Sequence, residues 1–186
     1  MVRSELRDRS DVTKNMKRAF RIGVSAVLAV YGVVIGRTPD AWSALDFVNL
    51  PIHETGHLVF APFGETLTML GGTLLQIAMP LLFAASFLRR RDEHAASVCI
   101  WWAGQSFINV GRYMADAIPM ELPLVGGGEH DWNILFSQWD VLRRSMHYAH
   151  VTTISGMVVM LGAAGWGMLV ALRAPTERRV LPAPAP

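Results

Sequence analysis

The apolar residues of this chain are gathered into long blocks that contain few charged positions. Four blocks have the length of membrane-spanning helices, and they cover residues 22–36 (extended by Ala19 and Phe20), 67–88, 95–118 and 151–172. A helix needs about 20 mostly apolar residues to cross the hydrocarbon layer of a bilayer. A fifth apolar stretch, residues 46–62, is shorter and holds polar residues near its centre. The pattern predicts an all-α integral membrane protein with about four transmembrane helices plus one short re-entrant or interfacial helix.

Charge divides the chain into three parts. Residues 1–21 form a charged N-tail, residues 22–172 a polytopic helical membrane domain, and residues 173–186 a Pro- and Ala-rich C-tail that we expect to be disordered. The long charged segment before the first apolar block, and the lack of a small-residue cleavage site after it, predict an uncleaved membrane anchor rather than a signal peptide.

The basic residues indicate the orientation, because cytoplasmic loops of membrane proteins are enriched in Lys and Arg. With four spans, one side holds seven basic residues of the N-tail, three at Arg89–Arg91 and three of the C-tail. The other side then holds only three, which are Arg37, Arg143 and Arg144. If residues 46–62 also crossed, the two sides would hold nine and seven. The first arrangement is far more polarised, so we predict cytoplasmic termini and a non-cytoplasmic loop at 119–149.

Composition argues against nucleic-acid binding and against an internal disulfide. The 17 Lys and Arg residues exceed the 15 Asp and Glu residues only slightly, and they cluster at the ends of apolar blocks. This distribution follows membrane topology rather than a nucleic-acid surface. The predicted partner is therefore the lipid bilayer, and no nucleic acid is expected. The single cysteine, Cys99, excludes an internal disulfide.

The short apolar stretch contains the sequence HETGH, which Asn49 precedes as a plausible helix cap. On an α-helix, positions i and i+4 lie on one face, so His53 and His57 can offer two imidazole nitrogens to one metal ion. Glu54 lies beside that face, where it can reach a water on the metal, and Gly56 would let another helix approach closely. This is the H-E-x-x-H pattern of zinc metalloproteases. A chance pair of interfacial histidines is the alternative, but unpaired ionisable groups are costly in apolar segments.

A hydrolytic zinc site needs a third protein ligand and one open position. His130, in the glycine-rich sequence GGGEHDW, is the first candidate because its loop shares the predicted side of the motif. Asp116 is the second candidate, and the remaining possibilities are Asp131, Glu129 and Glu65. Asp131 has two further interpretations, as a cap of the following helix or as a carboxylate that orients His130.

Four polar residues form a stripe along one predicted helix. Gln105, Asn109, Arg112 and Asp116 are spaced by four, three and four positions. That spacing places them on one face, which we expect to lie towards the bundle interior or a water-filled cavity. Arg112 either pairs with Asp116 or lies close to the metal ligands. Gln76, alone in its apolar block, predicts a hydrogen bond to another helix.

With HETGH in a short apolar helix, further spans and a downstream acidic or histidine ligand, the chain resembles the site-2 protease type of intramembrane zinc metalloprotease, in a divergent and minimal form. The resemblance is strongest over residues 50–62. It implies that His53 and His57 bind Zn2+ and that Glu54 is the catalytic base. It also implies a membrane-protein or peptide substrate and a multi-pass location in a bacterial-type inner (plasma) membrane. Those enzymes take a third ligand from an aspartate in an N-P-D-G-like motif, which this chain lacks, and Asp116 is the nearest equivalent in position.

Two other functions remain open. The same zinc chemistry could act on lipid amides or esters, as in membrane zinc hydrolases of the ceramidase type. A non-catalytic membrane subunit, in which a metal ion or no ion holds the helices together, is the other. Metal content and an open coordination position separate this last function from the two hydrolases.

The predicted topology can be tested by chemical labelling. We expect a cysteine introduced at Ser137, in a chain whose Cys99 has been replaced, to react with a membrane-impermeant maleimide from outside intact cells, because the 119–149 loop is predicted to be non-cytoplasmic. Labelling that requires permeabilised cells would contradict this topology and remove the reason for favouring His130.

Overall fold

A computed structural model describes residues 2–38, 41–124 and 129–173 of the chain. Six α-helices follow one another in these residues: α1 (Val2–Arg37), α2 (Asp46–Phe60), α3 (Glu65–Arg89), α4 (Glu93–Ala115), α5 (Asp131–Gln138) and α6 (Ser145–Leu172). Short 3-10 turns at Ala61–Phe63 and Leu142–Arg144 precede α3 and α6. No strand occurs in the part of the chain that is described, and the predicted all-α fold is confirmed. The predicted disordered C-tail, from residue 174 onward, lies outside the described residues.

Three helical segments among the described residues are long and apolar enough to cross a membrane: Val12–Arg37, Glu65–Arg89 and Leu142–Leu172. They contain three of the four predicted spans. α4 covers most of the fourth, but it is the more polar helix, because the stripe with Gln105 and Arg112 lies on it. α1 begins at Val2, so the charged N-tail and the first apolar block form one continuous helix.

α4 lies in the middle of the bundle and packs along α6 at very short distance. A Cβ atom added to Gly104 would overlap the backbone of Gly156, and one added to Gly156 would overlap the backbone of Gly104. Residues without side chains at such positions let two helix backbones approach closely. α1 packs on the same pair, where the Trp101 indole N–H donates to the Leu28 carbonyl oxygen (3.0 Å). The polar stripe of α4 is thereby left for α2 and α3.

α2 and α3 form a tight antiparallel hairpin that contains the HETGH sequence. The chain turns at Ala61–Phe63 and at Gly64, whose φ of 97° favours glycine. A Cβ atom on Gly56 would collide with the carbonyl group of Gly71, so the glycine between the two histidines serves helix packing. α2 has 15 residues. Its length of about 22 Å is shorter than a hydrocarbon layer of about 30 Å.

The two ends of the bundle differ in charge. At one end, which we call the basic end, Arg21 lies 3.2 Å from Asp92 and Arg173 lies 3.1 Å from Glu93, next to the run Arg89–Arg91. The turn between α2 and α3, the start of α6 and the short helix α5 lie at the opposite end. The second half of the HETGH helix is therefore remote from the basic end.

Candidate metal centre

His53 and His57 lie one turn apart on α2 and direct the same ring nitrogen towards one carboxylate. Nε2 of His53 is 2.9 Å and Nε2 of His57 is 3.3 Å from Oδ2 of Asp131, the first residue of α5. All three atoms lie within 4.8 Å of one another. In a tetrahedral zinc site with bonds of about 2.0–2.1 Å, ligand atoms lie about 3.3 Å apart. Two imidazoles and one carboxylate at these separations fit a zinc ion and leave one position for another ligand.

The hydrogen bonds of the other ring nitrogens set the tautomers of both histidines. Nδ1 of His57 lies 2.8 Å from the Thr68 carbonyl oxygen, which can only accept a hydrogen bond, so Nδ1 carries the proton. Nδ1 of His53 lies 3.2 Å from Oε1 of Gln76, an amide oxygen that also can only accept. Each Nε2 is therefore the nitrogen that can offer a lone pair to a cation.

A chain of buried amides continues from His53 into the centre of the bundle. Nε2 of Gln76 donates to Oδ1 of Asn109 (2.8 Å), and Nδ2 of Asn109 donates to Oδ1 of Asp46 (3.1 Å). The Arg112 guanidinium also donates to the Asp46 carboxylate (3.2 Å). Every donor in this amide chain points towards the Asp46 carboxylate. The orientation of both amides, and with it the tautomer of His53, is determined by Asp46.

Asp131 reaches the histidines because α5 begins at this residue. His130 caps the helix, since its Nδ1 accepts a hydrogen bond from the backbone N–H of Asn133 (3.2 Å). The backbone N–H of Asp131 donates to the hydroxyl oxygen of Tyr113 on α4 (3.2 Å). The cap and the Tyr113 contact hold the first turn of α5 against the end of α4, with the Asp131 side chain facing α2.

The charges of the three clustered residues depend on one another. The hydrogen bond to Asp131 is the largest cause that raises the pKa of His57 from 6.5 to about 9. Burial would raise the pKa of Asp131, but its hydrogen bonds to His53 and His57 outweigh burial and lower it. At pH 7, His57 is therefore protonated beside an ionised carboxylate. A cation that binds here displaces that proton, so its apparent affinity rises with pH up to about 9.

His130 and Asp116, the first and second candidates for the third ligand, contact each other and do not join the cluster. Nε2 of His130 lies 3.3 Å from Oδ2 of Asp116, outside hydrogen-bonding geometry. Its ring packs on Tyr113 with centroids 4.2 Å apart, and burial lowers its pKa. A side chain that caps a helix points back at the first N–H groups of that helix, which keeps His130 away from α2. Among the described residues, the structure therefore groups His53 and His57 with Asp131 and not with its neighbour His130.

The polar stripe of α4 faces the bundle interior, as predicted, and its arginine has a different partner from the one expected. Arg112 donates to Asp46 and to the Ala41 carbonyl oxygen (3.0 Å), not to Asp116. Its guanidinium also lies over the Trp42 ring, 4.9 Å from the centroid. Arg112 therefore contacts the amide chain at its Asp46 end.

Glu54 makes no hydrogen bond or ion pair with the described residues. Its half-buried side chain lines two adjoining open cavities, both of which also contain His53 and Tyr113 in their walls. His57 and Asp131 line the second cavity. Glu54 therefore shares the second cavity with His57 and Asp131, and its carboxylate has no partner among the described residues.

The last two candidate acids lie at the edge of the site. Glu129 is exposed and lines the second cavity, whereas Glu65 is exposed at the start of α3 and lines neither.

Two residues of the site were not singled out by the sequence analysis. Asp46 lies seven positions before His53, a spacing that places both on one face of α2. Tyr113 lies four positions after Asn109 and borders the polar stripe.

No protein-family profile matches this chain, and no curated protein or solved structure matches it either. The assignment of a function therefore depends on the geometry of the site.

Removing a ligand should remove the metal. We expect His53→Ala, His57→Ala and Asp131→Asn each to retain less than about one tenth of the wild-type zinc through purification, because two protein ligands hold the ion too weakly. Elemental analysis by mass spectrometry measures zinc per chain. Asp116→Asn, which alters a buried acid outside the cluster, is the control and should keep its zinc. Full occupancy in Asp131→Asn, with loss in His130→Ala, would restore His130 as the ligand.

Gln76→Leu should weaken zinc binding although Gln76 does not touch the ion. Leucine is similar in size but cannot accept the hydrogen bond from Nδ1 of His53, and losing such a partner costs about 10- to 100-fold in metal affinity. Competition with a chelator of known affinity measures the change. Thr73→Val, at a buried polar position of α3 outside the amide chain, should retain wild-type affinity. Unchanged affinity in Gln76→Leu would show that the amide chain does not hold His53.

Proposed function

We propose that this chain is a membrane-embedded zinc hydrolase that cleaves peptide bonds, in the manner of site-2 protease-like enzymes. The observation that supports this most is the unpartnered Glu54 carboxylate beside three ligand atoms from His53, His57 and Asp131. Two imidazole nitrogens and one carboxylate oxygen would hold the ion. Three protein ligands with one open position are typical of catalytic zinc sites, whereas structural sites use four.

The chemistry divides between the ion and Glu54. In such a site zinc supplies a Lewis acid and makes water a nucleophile near neutral pH. Glu54 accepts one proton from the water as the water oxygen bonds to the carbonyl carbon of the substrate. The C–N bond then breaks, the acyl product keeps the water oxygen, and Glu54 returns the proton to the departing amine. His53 and His57 keep their Nδ1 protons throughout.

The proposed location of the site follows from the topology. We place α1, α3, α4 and α6 across the membrane, with α2 entering from the non-cytoplasmic side without crossing. The polar stripe of α4 faces α2 and α3 and hydrogen-bonds with them, so α4 can cross without exposing it to lipid. Lipid would cover the exposed apolar side chains of the α2 hairpin, among them Phe47 (71%), Leu58 (76%) and Phe63 (64%). The basic end would face the cytoplasm.

The lining of the first cavity favours a peptide over a lipid as substrate. Besides Glu54 and His53, its walls contain polar side chains and apolar ones, namely Asp46, Gln76, Asn109 and Arg112 together with Trp42, Leu50, Leu122 and Leu124. A mixed wall of this kind suits an extended backbone, whose amides alternate with side chains. An acyl chain would cover the Glu54 carboxylate, which has no partner among the described residues, without hydrogen-bonding it, which costs free energy.

Glu54→Gln should separate catalysis from metal binding. Glutamine keeps the shape of the side chain but cannot take up the proton, so zinc should stay near one per chain while turnover falls about 100- to 10,000-fold. The full chain in lipid nanodiscs would be incubated with single-span membrane peptides, and mass spectrometry would detect new termini. Glu65→Gln, which removes an exposed acid outside both cavities, is the matched control and should cleave as the wild type does.

Other results would assign other functions. Full cleavage by zinc-loaded Glu54→Gln would show that Glu54 is not the base. Fatty acid released from the nanodisc lipids, without peptide cleavage, would identify a lipid amide or ester hydrolase. A zinc-loaded wild-type chain that forms neither product would be a metal-stabilised subunit without catalysis.

A further inference from the structure

The hydroxyl group of Tyr113 lies next to the candidate metal centre and has a proton to donate. The tyrosine lines both cavities, together with Glu54 and His53. Its oxygen accepts the hydrogen bond from the backbone N–H of Asp131 at 3.2 Å. A phenol oxygen can accept and donate at the same time. Among the described residues, no acceptor takes the Tyr113 proton.

The position of this hydroxyl group is fixed on several sides. The Tyr113 ring lies edge-on to the ring of His53, with centroids 5.9 Å apart, and packs against the ring of His130 at 4.2 Å. Since the bond from Asp131 occupies one side of the oxygen, the O–H group must point away from that backbone. Glu54 lines both of the cavities that Tyr113 borders. Donor and base therefore border the same space beside the ligand atoms.

We propose that Tyr113 is a catalytic residue that donates a hydrogen bond to the carbonyl oxygen of the substrate as this oxygen gains negative charge. The proposal rests on the proposed hydrolase function. Water attack moves a proton to Glu54 and negative charge to the carbonyl oxygen, so the reaction needs an acceptor and a donor near the scissile bond. Glu54 is the acceptor, and Tyr113 is a donor that lines both cavities with it. A preorganised donor of this type contributes about 100- to 1,000-fold to the rate.

A merely structural Tyr113 would behave differently. In that case its only role would be to accept the hydrogen bond from Asp131 and so hold a metal ligand in place. Removing the hydroxyl group would then reduce zinc retention and leave the affinity of the remaining zinc-loaded protein for inhibitors unchanged. Zinc content and inhibitor affinity together distinguish the two roles.

Two inhibitors that share a leucine amide test the proposal without a known substrate. N-phosphoryl-leucine amide presents a tetrahedral anionic oxygen, which imitates the carbon under attack, whereas N-mercaptoacetyl-leucine amide binds zinc through sulfur and has no such oxygen. In the zinc-loaded full chain in nanodiscs, Tyr113→Phe should bind the phosphoryl compound about 100-fold more weakly. The thiol compound should bind the zinc-loaded fraction of the variant within about twofold of wild type.

The matched control is Tyr148→Phe on α6, whose ring contacts Phe136 and which lines neither cavity. It should bind both compounds as the wild type does. Equal affinity of Tyr113→Phe and wild type for the phosphoryl compound would overturn the proposal. Reduced zinc retention together with unchanged affinity of the zinc-loaded fraction for the phosphoryl compound would make Tyr113 a positioning residue for Asp131 only. A wild-type chain that holds no zinc, or binds neither compound, would overturn the hydrolase function itself.

A second variant keeps the test decisive if Tyr113→Phe does not fold. Incorporation of 3-fluorotyrosine at position 113 retains the ring and the acceptor for Asp131 and makes the hydroxyl group a stronger donor. At pH 6.5, where the phenol is protonated, we expect the phosphoryl compound to bind about two- to threefold more tightly than to wild type. Unchanged binding of this compound would overturn the proposal.

Discussion

The buried carboxylate of Asp46 is the charge on which the arrangement of α2, α3 and α4 depends. Only 3% of this residue is exposed. It accepts hydrogen bonds from the backbone of Ser43 and from three side chains of α4, those of Gln105, Asn109 and Arg112. A carboxylate inside an apolar bundle is costly unless it is paired and fully hydrogen-bonded. These partners therefore hold the start of α2 against α4.

The same charge gives the metal centre its orientation. Asp46 can only accept, so Asn109 must present its amide nitrogen to it and its oxygen to Gln76, and Gln76 must then present its oxygen to His53. Reversing either amide would place two oxygens or two N–H groups against each other in a buried space. His53 is thus left with Nε2 towards Asp131. A residue on α4 and one on α3 thereby decide which ring nitrogen of His53 faces Asp131.

The third residue of the cluster, Asp131, comes from an element outside the apolar blocks. α5 has only eight residues and lies against the end of α4, where the His130 cap and the Tyr113 hydroxyl group hold its first turn. A cation bound by His53, His57 and Asp131 would connect this short helix to the α2 hairpin. The cluster lies at the end of the bundle opposite the basic end, away from the glycine contact that joins α4 to α6.

The sequence alone determined the features that depend on local spacing. Block lengths predicted the helices, the i and i+4 positions predicted one face for His53 and His57, and the lone Gln76 predicted a bond between helices. Local spacing was less reliable at the start of α2, where Asn49 looked like a cap although the helix begins at Asp46 and Asn49 donates to Gln105 inside the bundle.

Only the tertiary structure decided between His130 and Asp131. These neighbours have the same distance along the chain to HETGH, and both residue types bind zinc. Their side chains nevertheless point in directions about 100° apart as the helix begins. Which of the two faces α2 depends on how the first turn of α5 rests on Tyr113, a contact between residues 18 positions apart. No pattern within either segment contains that information, because it arises only when helices remote in sequence pack together.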